Sequence, residues 1–146
     1  MAEQLTFNLL ARLHVDAAIL EGGDHEKIVE SLLHTSHIRL AGLGLTALDN
    51  LECLGRVTHV YLQRNALTTL DGLECLVDLR VLDVSHNRLT SMTTVPRLPR
   101  LQLLNLSHNA IVSLDHNLPE SLAFLSLLGN PVMESAESRF ISCRAL

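Results

Sequence analysis

A chain of 146 residues, 47% of them hydrophobic, has the apolar material for one domain with a continuous core, which excludes disorder of the whole. Net charge is −5 with Lys27 as the single lysine, so no basic stripe is available to neutralise phosphates, and nucleic acid and anionic membranes are excluded as partners. Aromatic residues make up only 3%, so aliphatic side chains, chiefly leucine, must fill the core.

The N-terminal LTFNLLARL is apolar, but Arg12 and His14 interrupt it and no basic segment precedes it, the wrong order for a secretory signal. Read as a helix, it groups Leu5, Leu9, Leu10 and Leu13, either as a cap or as a partner-docking segment. Gly22-Gly23 then breaks the chain, and Asp24 can cap a helix over HEKIVESLLH that places Ile28, Val29, Leu32 and Leu33 together. Residues 1–34 are therefore expected to form an N-terminal helical segment and cap.

From residue 35 to 134 one apolar template recurs, Leu-x-x-Leu-x-Leu-x-x-Asn-x-Leu-x-x-Leu. A degenerate first copy places Ile38, Leu40, Leu45, Leu48, Leu51 and Leu54, but has Leu43 where Asn belongs. Later copies begin at Val57, Leu79, Leu101 and Leu122, in steps of 22, 22 and 21 residues, and carry Asn65, Asn87, Asn109 and Asn130. The stretches VLDVSHNRLTSM and LLNLSHNAIVSL are the same unit written twice. Alternation around Leu-x-Leu predicts a short strand in each copy, and the following Leu-x-x-Leu predicts a turn or a piece of 3₁₀ helix. No copy can bury its apolar edge alone, so stacking must make the core.

This period and pattern resemble leucine-rich repeats. The resemblance implies an α/β solenoid of about five coils, with a parallel concave sheet, short helical or 3₁₀ convex segments, an N-terminal helical cap and a partial C-terminal helical cap. A coil that turns sharply leaves buried backbone groups that an amide side chain can satisfy, and in this family the asparagines form such a ladder. Asn65, Asn87, Asn109 and Asn130 are thus expected to be structural, and the first coil, without its amide, to be the least regular. The 22-residue unit is similar to the short, mostly intracellular class exemplified by phosphatase-regulator and axonemal leucine-rich-repeat proteins. In that class a helix closes the stack, and ESAESRFISCRAL, within residues 135–146, is expected to begin it.

Side chains between the apolar strand positions should face the concave surface in columns. One is Arg39, Tyr61, Asp83, Asn105 and Ser126; another is Ala41, Gln63, Ser85, Ser107 and Leu128; a third is Gly42, Arg64, His86, His108 and Gly129. The Ser-His of SHN should therefore be exposed beside the Asn. A fourth column, His37, His59, Val81, Leu103 and Phe124, becomes apolar toward the C-terminal half, where a partner's anchor residue could land.

Asp83, Ser85 and His86 contain the groups of a hydrolytic triad, but on one short strand they lack an oxyanion hole. His86 with His108, or His37 with His59, lacks a convincing third metal ligand. Cys53 and Cys75 sit in two LECL segments one period apart and read as small residues at equivalent points of adjacent coils. Asn105-Leu106-Ser107 matches a glycosylation acceptor but lies inside a strand.

The sequence therefore predicts a non-enzymatic scaffold or adaptor without cofactor, metal or small-molecule substrate, binding protein through Arg39, Tyr61, Gln63, Arg64, Asp83, His86, Asn105, His108, Phe124 and Ser126. The segments VYLQRNALTTLDGLECL and LPESLAFLSLLGN are similar to small ciliary leucine-rich-repeat proteins associated with radial spokes or dynein. That resemblance implies a cytoskeletal location in the axoneme of a cilium or flagellum and a larger axonemal partner. The alternative is a regulatory subunit of a protein phosphatase or other enzyme.

Overall fold

The computed structural model describes residues 4–114 and 118–134. Three helices come first: α1 (Phe7–His14), α2 (Ala17–Gly22) and α3 (His25–Leu33). Each begins at a side-chain cap: Thr6 Oγ1 accepts from the Leu9 N–H at 3.2 Å, Asp16 Oδ1 from Ala18 at 2.8 Å, and Asp24 Oδ1 from Lys27 at 3.3 Å. The last is the cap expected from sequence. The six-residue α2 was not expected, because AAILEG is too short for a helical period to register.

The N-terminal segment packs into the core through Leu5, Leu9 and Leu10, with Ala11 added. Its apolar face is narrower than expected, since Leu13 is 44% exposed; on α3 only Leu32 is buried, Ile28 and Val29 are half-buried and Leu33 is 46% exposed. The α3 backbone itself approaches the coil closely: a Cβ on Gly55 would lie 2.2 Å from the Leu33 carbonyl oxygen. A short cap covers one coil end with a few side chains and leaves the rest in solvent.

Five strands follow, β1 (His37–Arg39), β2 (His59–Tyr61), β3 (Val81–Asp83), β4 (Leu103–Asn105) and β5 (Phe124–Ser126), in one parallel sheet in chain order. Register is constant, His37 opposite His59, then Val81, Leu103 and Phe124. Between strands the chain returns along the convex side, with 3₁₀ turns at Leu51–Cys53, Leu73–Cys75 and Met92–Thr94, and another at Pro131–Glu134. This is the expected solenoid with its parallel sheet and short convex segments.

The core is the set of inward rows, and the strand centres Ile38, Val60, Leu82 and Leu104 are fully buried. Burial of each such side chain is worth about 1.5–3 kcal/mol, above the roughly 1 kcal/mol that the whole strand-propensity scale spans. Leu125, the centre of β5, is only half-buried. The closing helix expected within 135–146 lies outside the described residues. Among the described residues, no helix is long and apolar enough to cross a membrane.

Asparagines tie one coil to the next. Asn87 donates Nδ2 to the carbonyls of Leu62 at 3.0 Å and Val84 at 3.0 Å, and its Oδ1 accepts from the Leu67 N–H at 3.0 Å. Asn65, Asn109 and Asn130 repeat the pattern on Leu45, Leu89 and Ile111. Each amide thus satisfies the coil before its own. That offset explains Leu43: Asn65 Oδ1 accepts from both Leu43 and Leu45 N–H groups, and no coil lies ahead for a first amide to serve. In the first coil β1 keeps its three-residue strand and its register with β2, while the return path departs from the later coils through an additional left-handed residue, Gly44 at φ 68°.

Candidate functional site

Pleating sends alternate residues of each three-residue strand outward, and stacking at the 22-residue period aligns them. Pairing places Arg39, Tyr61, Asp83, Asn105 and Ser126 opposite one another in one column, and His37, His59, Val81, Leu103 and Phe124 in the other. Arg39 and Tyr61 interact: the guanidinium carbon lies 5.8 Å from the ring centroid. Asp83 is held between coils, with Oδ1 accepting from the Ser85 N–H at 3.0 Å and Oδ2 from Asn105 Nδ2 at 3.1 Å. Asn105 Oδ1 in turn accepts from the Ser107 hydroxyl at 2.7 Å, and Ser107 Oγ lies 2.6 Å from Ser126 Oγ.

Half of the SHN reading needs correction. His86 and His108 are exposed, but Ser85 and Ser107 are buried. The chain turns sharply just after them: Gly42, Arg64, His86, His108 and Gly129, one per coil, all have left-handed backbone, with φ between 54° and 72°. The turn draws the serine under the sheet's end and throws the next side chain out. Glycine takes this conformation freely, whereas an ordinary L-residue loses about 1–2 kcal/mol there. Three coils nonetheless carry Arg64, His86 and His108. Nothing in the sequence marked these positions as strained beyond the glycines at either end of the column.

The histidines pair by stacking. His86 and His108 lie 4.4 Å apart between ring centroids with planes 13° from parallel, and His37 and His59 lie 4.1 Å apart at 14°. Ser36 Oγ and Thr58 Oγ1 each sit 2.8 Å from the Nδ1 of the histidine that follows. Stacked rings present faces to each other rather than lone pairs converging on one ion. Among the described residues no group of three or more His, Cys, Asp or Glu side chains could hold a metal. Burial, with the neighbouring His37 and Arg80, pushes the His59 imidazolium below its ordinary pKa.

Hydrolytic geometry is missing at Asp83, whose two oxygens are taken by an amide N–H and an asparagine. Toward the C-terminal end the face becomes apolar, with Phe124 48% and Leu128 67% exposed. On the convex side, Cys53 and Cys75 are free thiols that donate to the carbonyls of Asn50 at 2.7 Å and Gly72 at 3.1 Å, and burial raises both pKa values.

Gln63 and Arg64 extend the face past the strand end: the Gln63 carbonyl accepts from Gly42 at 2.9 Å and the Arg64 N–H donates to Ser85 at 3.1 Å. All ten residues expected from sequence to contact a partner thus lie on the strands or at their exits. No curated protein matches the chain. Residues 78–98, the coil that contains β3 and Asn87, match the family model described as Leucine Rich Repeat, and the five-stranded parallel solenoid built by stacking that coil on its neighbours is consistent with a leucine-rich-repeat solenoid.

Proposed function

We propose that this protein is a non-enzymatic adaptor that binds another protein through the concave strand face, with Arg39, Tyr61, Gln63, Arg64, Asp83, His86, Asn105, His108, Phe124 and Ser126 as contacts. The observation that carries this reading is the run of Arg64, His86 and His108 in left-handed backbone, where glycine would cost less. Local strain retained at aligned, exposed positions is accounted for when the side chains themselves are needed. The rigid, internally bonded platform beneath them keeps the entropy cost of docking low.

The partner in this reading is a larger protein of the ciliary or flagellar axoneme, of the radial spoke or dynein, which sets the location as cytoskeletal. Its support is the resemblance of VYLQRNALTTLDGLECL and LPESLAFLSLLGN to small ciliary leucine-rich-repeat proteins. Affinity capture of the full-length protein from ciliated cells, followed by mass spectrometry, tests it. Axonemal proteins should be retained by the wild type and lost with Arg64→Glu/Asp83→Lys, whose unchanged circular dichroism would show an intact fold. A phosphatase catalytic subunit as sole companion would replace the axonemal reading by the regulatory-subunit one, and unchanged capture by the variant would remove the strand face from the mechanism.

A further inference from the structure

The 22-residue period aligns the segments leading into the strands as strictly as the strands themselves. It stacks Arg56, Asp78 and Arg100 in one column, with Thr58, Arg80 and Gln102 in the next; the Arg80 N–H donates to the Thr58 carbonyl at 2.8 Å and the Gln102 N–H to the Arg80 carbonyl at 2.8 Å. Arg56, Thr58, Asp78, Arg80 and Arg100 line one open depression of about 460 Å³ at the sheet's leading edge. Asp78 is its carboxylate, and that group is paired with Arg100. Arg56 and Arg80 are exposed, and among the described residues neither has a carboxylate partner.

The chain as a whole is acidic, and Asp49, Glu52 and Asp71 line a separate depression beside the convex 3₁₀ turns. The leading edge is therefore a local positive strip on a negative molecule. Arg80 also helps to lower the His59 pKa, so its field reaches the start of the strand face. Guanidinium groups bind carboxylates through paired N–H donors, a geometry a lysine could not supply.

We infer that the leading edge, through Arg56, Arg80 and Arg100, binds a carboxylate-rich segment of a protein partner running along the stack. Strands lie about 4.8 Å apart, so Arg56 and Arg100, two coils apart, are about 10 Å apart along the edge. An extended peptide advances about 3.3 Å per residue with alternate side chains on one face, so acidic side chains at every second position, about 6.6 Å apart, bring carboxylates into reach of both. This inference rests on the reading of the solenoid as a protein-binding module and supplies the chemistry of what it binds; it does not require the concave columns to make contact.

The test is fluorescence anisotropy on the full chain with a labelled (Glu-Ala)₆ peptide, its (Gln-Ala)₆ analogue and a single-stranded RNA oligonucleotide, at low and at physiological salt. The glutamate peptide should bind about tenfold or more tightly than the glutamine analogue, with the difference shrinking as salt rises. Arg56→Glu/Arg80→Glu should abolish that preference, while Arg88→Glu/Arg97→Glu, which changes net charge equally at other exposed sites, should retain it. No preference for the acidic peptide, an equal loss in both double variants, or tighter binding of the RNA would each overturn the inference. None of those results bears on capture by the strand face, which Arg64→Glu/Asp83→Lys tests separately.

Discussion

A single amide shows how far one side chain reaches in this fold. Asn87 closes bonds to Leu62 and Leu67 of the preceding coil as well as to Val84 of its own. Asn87→Leu should therefore cost about 1–3 kcal/mol for each buried group left unpaired, read as a lower urea midpoint at unchanged slope. Leu43→Asn is the contrasting case: with no coil ahead of it, the new amide should give no stabilisation, and a gain in urea resistance would contradict the backward direction of the ladder. At the left-handed position the balance differs. His86→Gly removes about 1–2 kcal/mol of backbone strain but returns about 0.4–1 kcal/mol of freedom to the unfolded chain. The variant should unfold at equal or slightly higher urea and yet capture less partner; loss of stability without loss of capture would mean that the histidine serves the fold alone.

Elements meet their ends through particular residues, and the first strand is an instructive edge. Without a coil before β1, the Arg39 N–H faces outward, and His14 Nε2 of α1 accepts it at 2.9 Å while His14 Nδ1 lies 3.1 Å from the Leu10 carbonyl. That arrangement needs a neutral ring protonated on Nδ1. Burial holds the imidazolium below the ordinary histidine value of 6.5, a shift that the Leu10 bond opposes. The unfolded chain then binds the proton more readily, so this contribution is complete above pH 6.5 and is lost as pH falls from there toward the lower folded value. Wild type should accordingly lose more stability between pH 7.5 and 5.5 than His14→Gln, which keeps an acceptor that does not titrate; equal losses would show that the edge bond carries no linkage. At the other contact of the cap, Gly55→Ala would force a Cβ against the Leu33 carbonyl, and hydrogen exchange should quicken in α3 before it does in β3. Strands, 3₁₀ turns and the Asp24 cap were legible because each has a local signature. The His14 bond to Arg39 was not, for it joins residues 25 apart with no shared period. The leading-edge arginines went unread for a related reason: the net charge of −5 averages over an uneven surface, and only stacking brings Arg56, Arg80 and Arg100 together.

Across the whole molecule, stability follows from the fact that each coil is held by its neighbours. Among the described residues burial differs along the stack: Leu125 is half-buried where Leu82 and Leu104 are fully buried. In such a stack the free energy is close to a sum of nearest-neighbour terms, so a cavity at the centre weakens two interfaces at once and uncouples the ends. Leu82→Ala should cost about 2–5 kcal/mol and raise amide exchange on both sides, at Leu62 and at Leu106, together with its own coil. Leu125→Ala removes a side chain already partly in water, so its cost should fall below that range, with faster exchange at Leu106 and the amides of β1 and β2 untouched. Equal penalties from the two substitutions, or exchange that quickens uniformly through β1 to β5, would indicate a single all-or-none core in place of a chain of coupled interfaces.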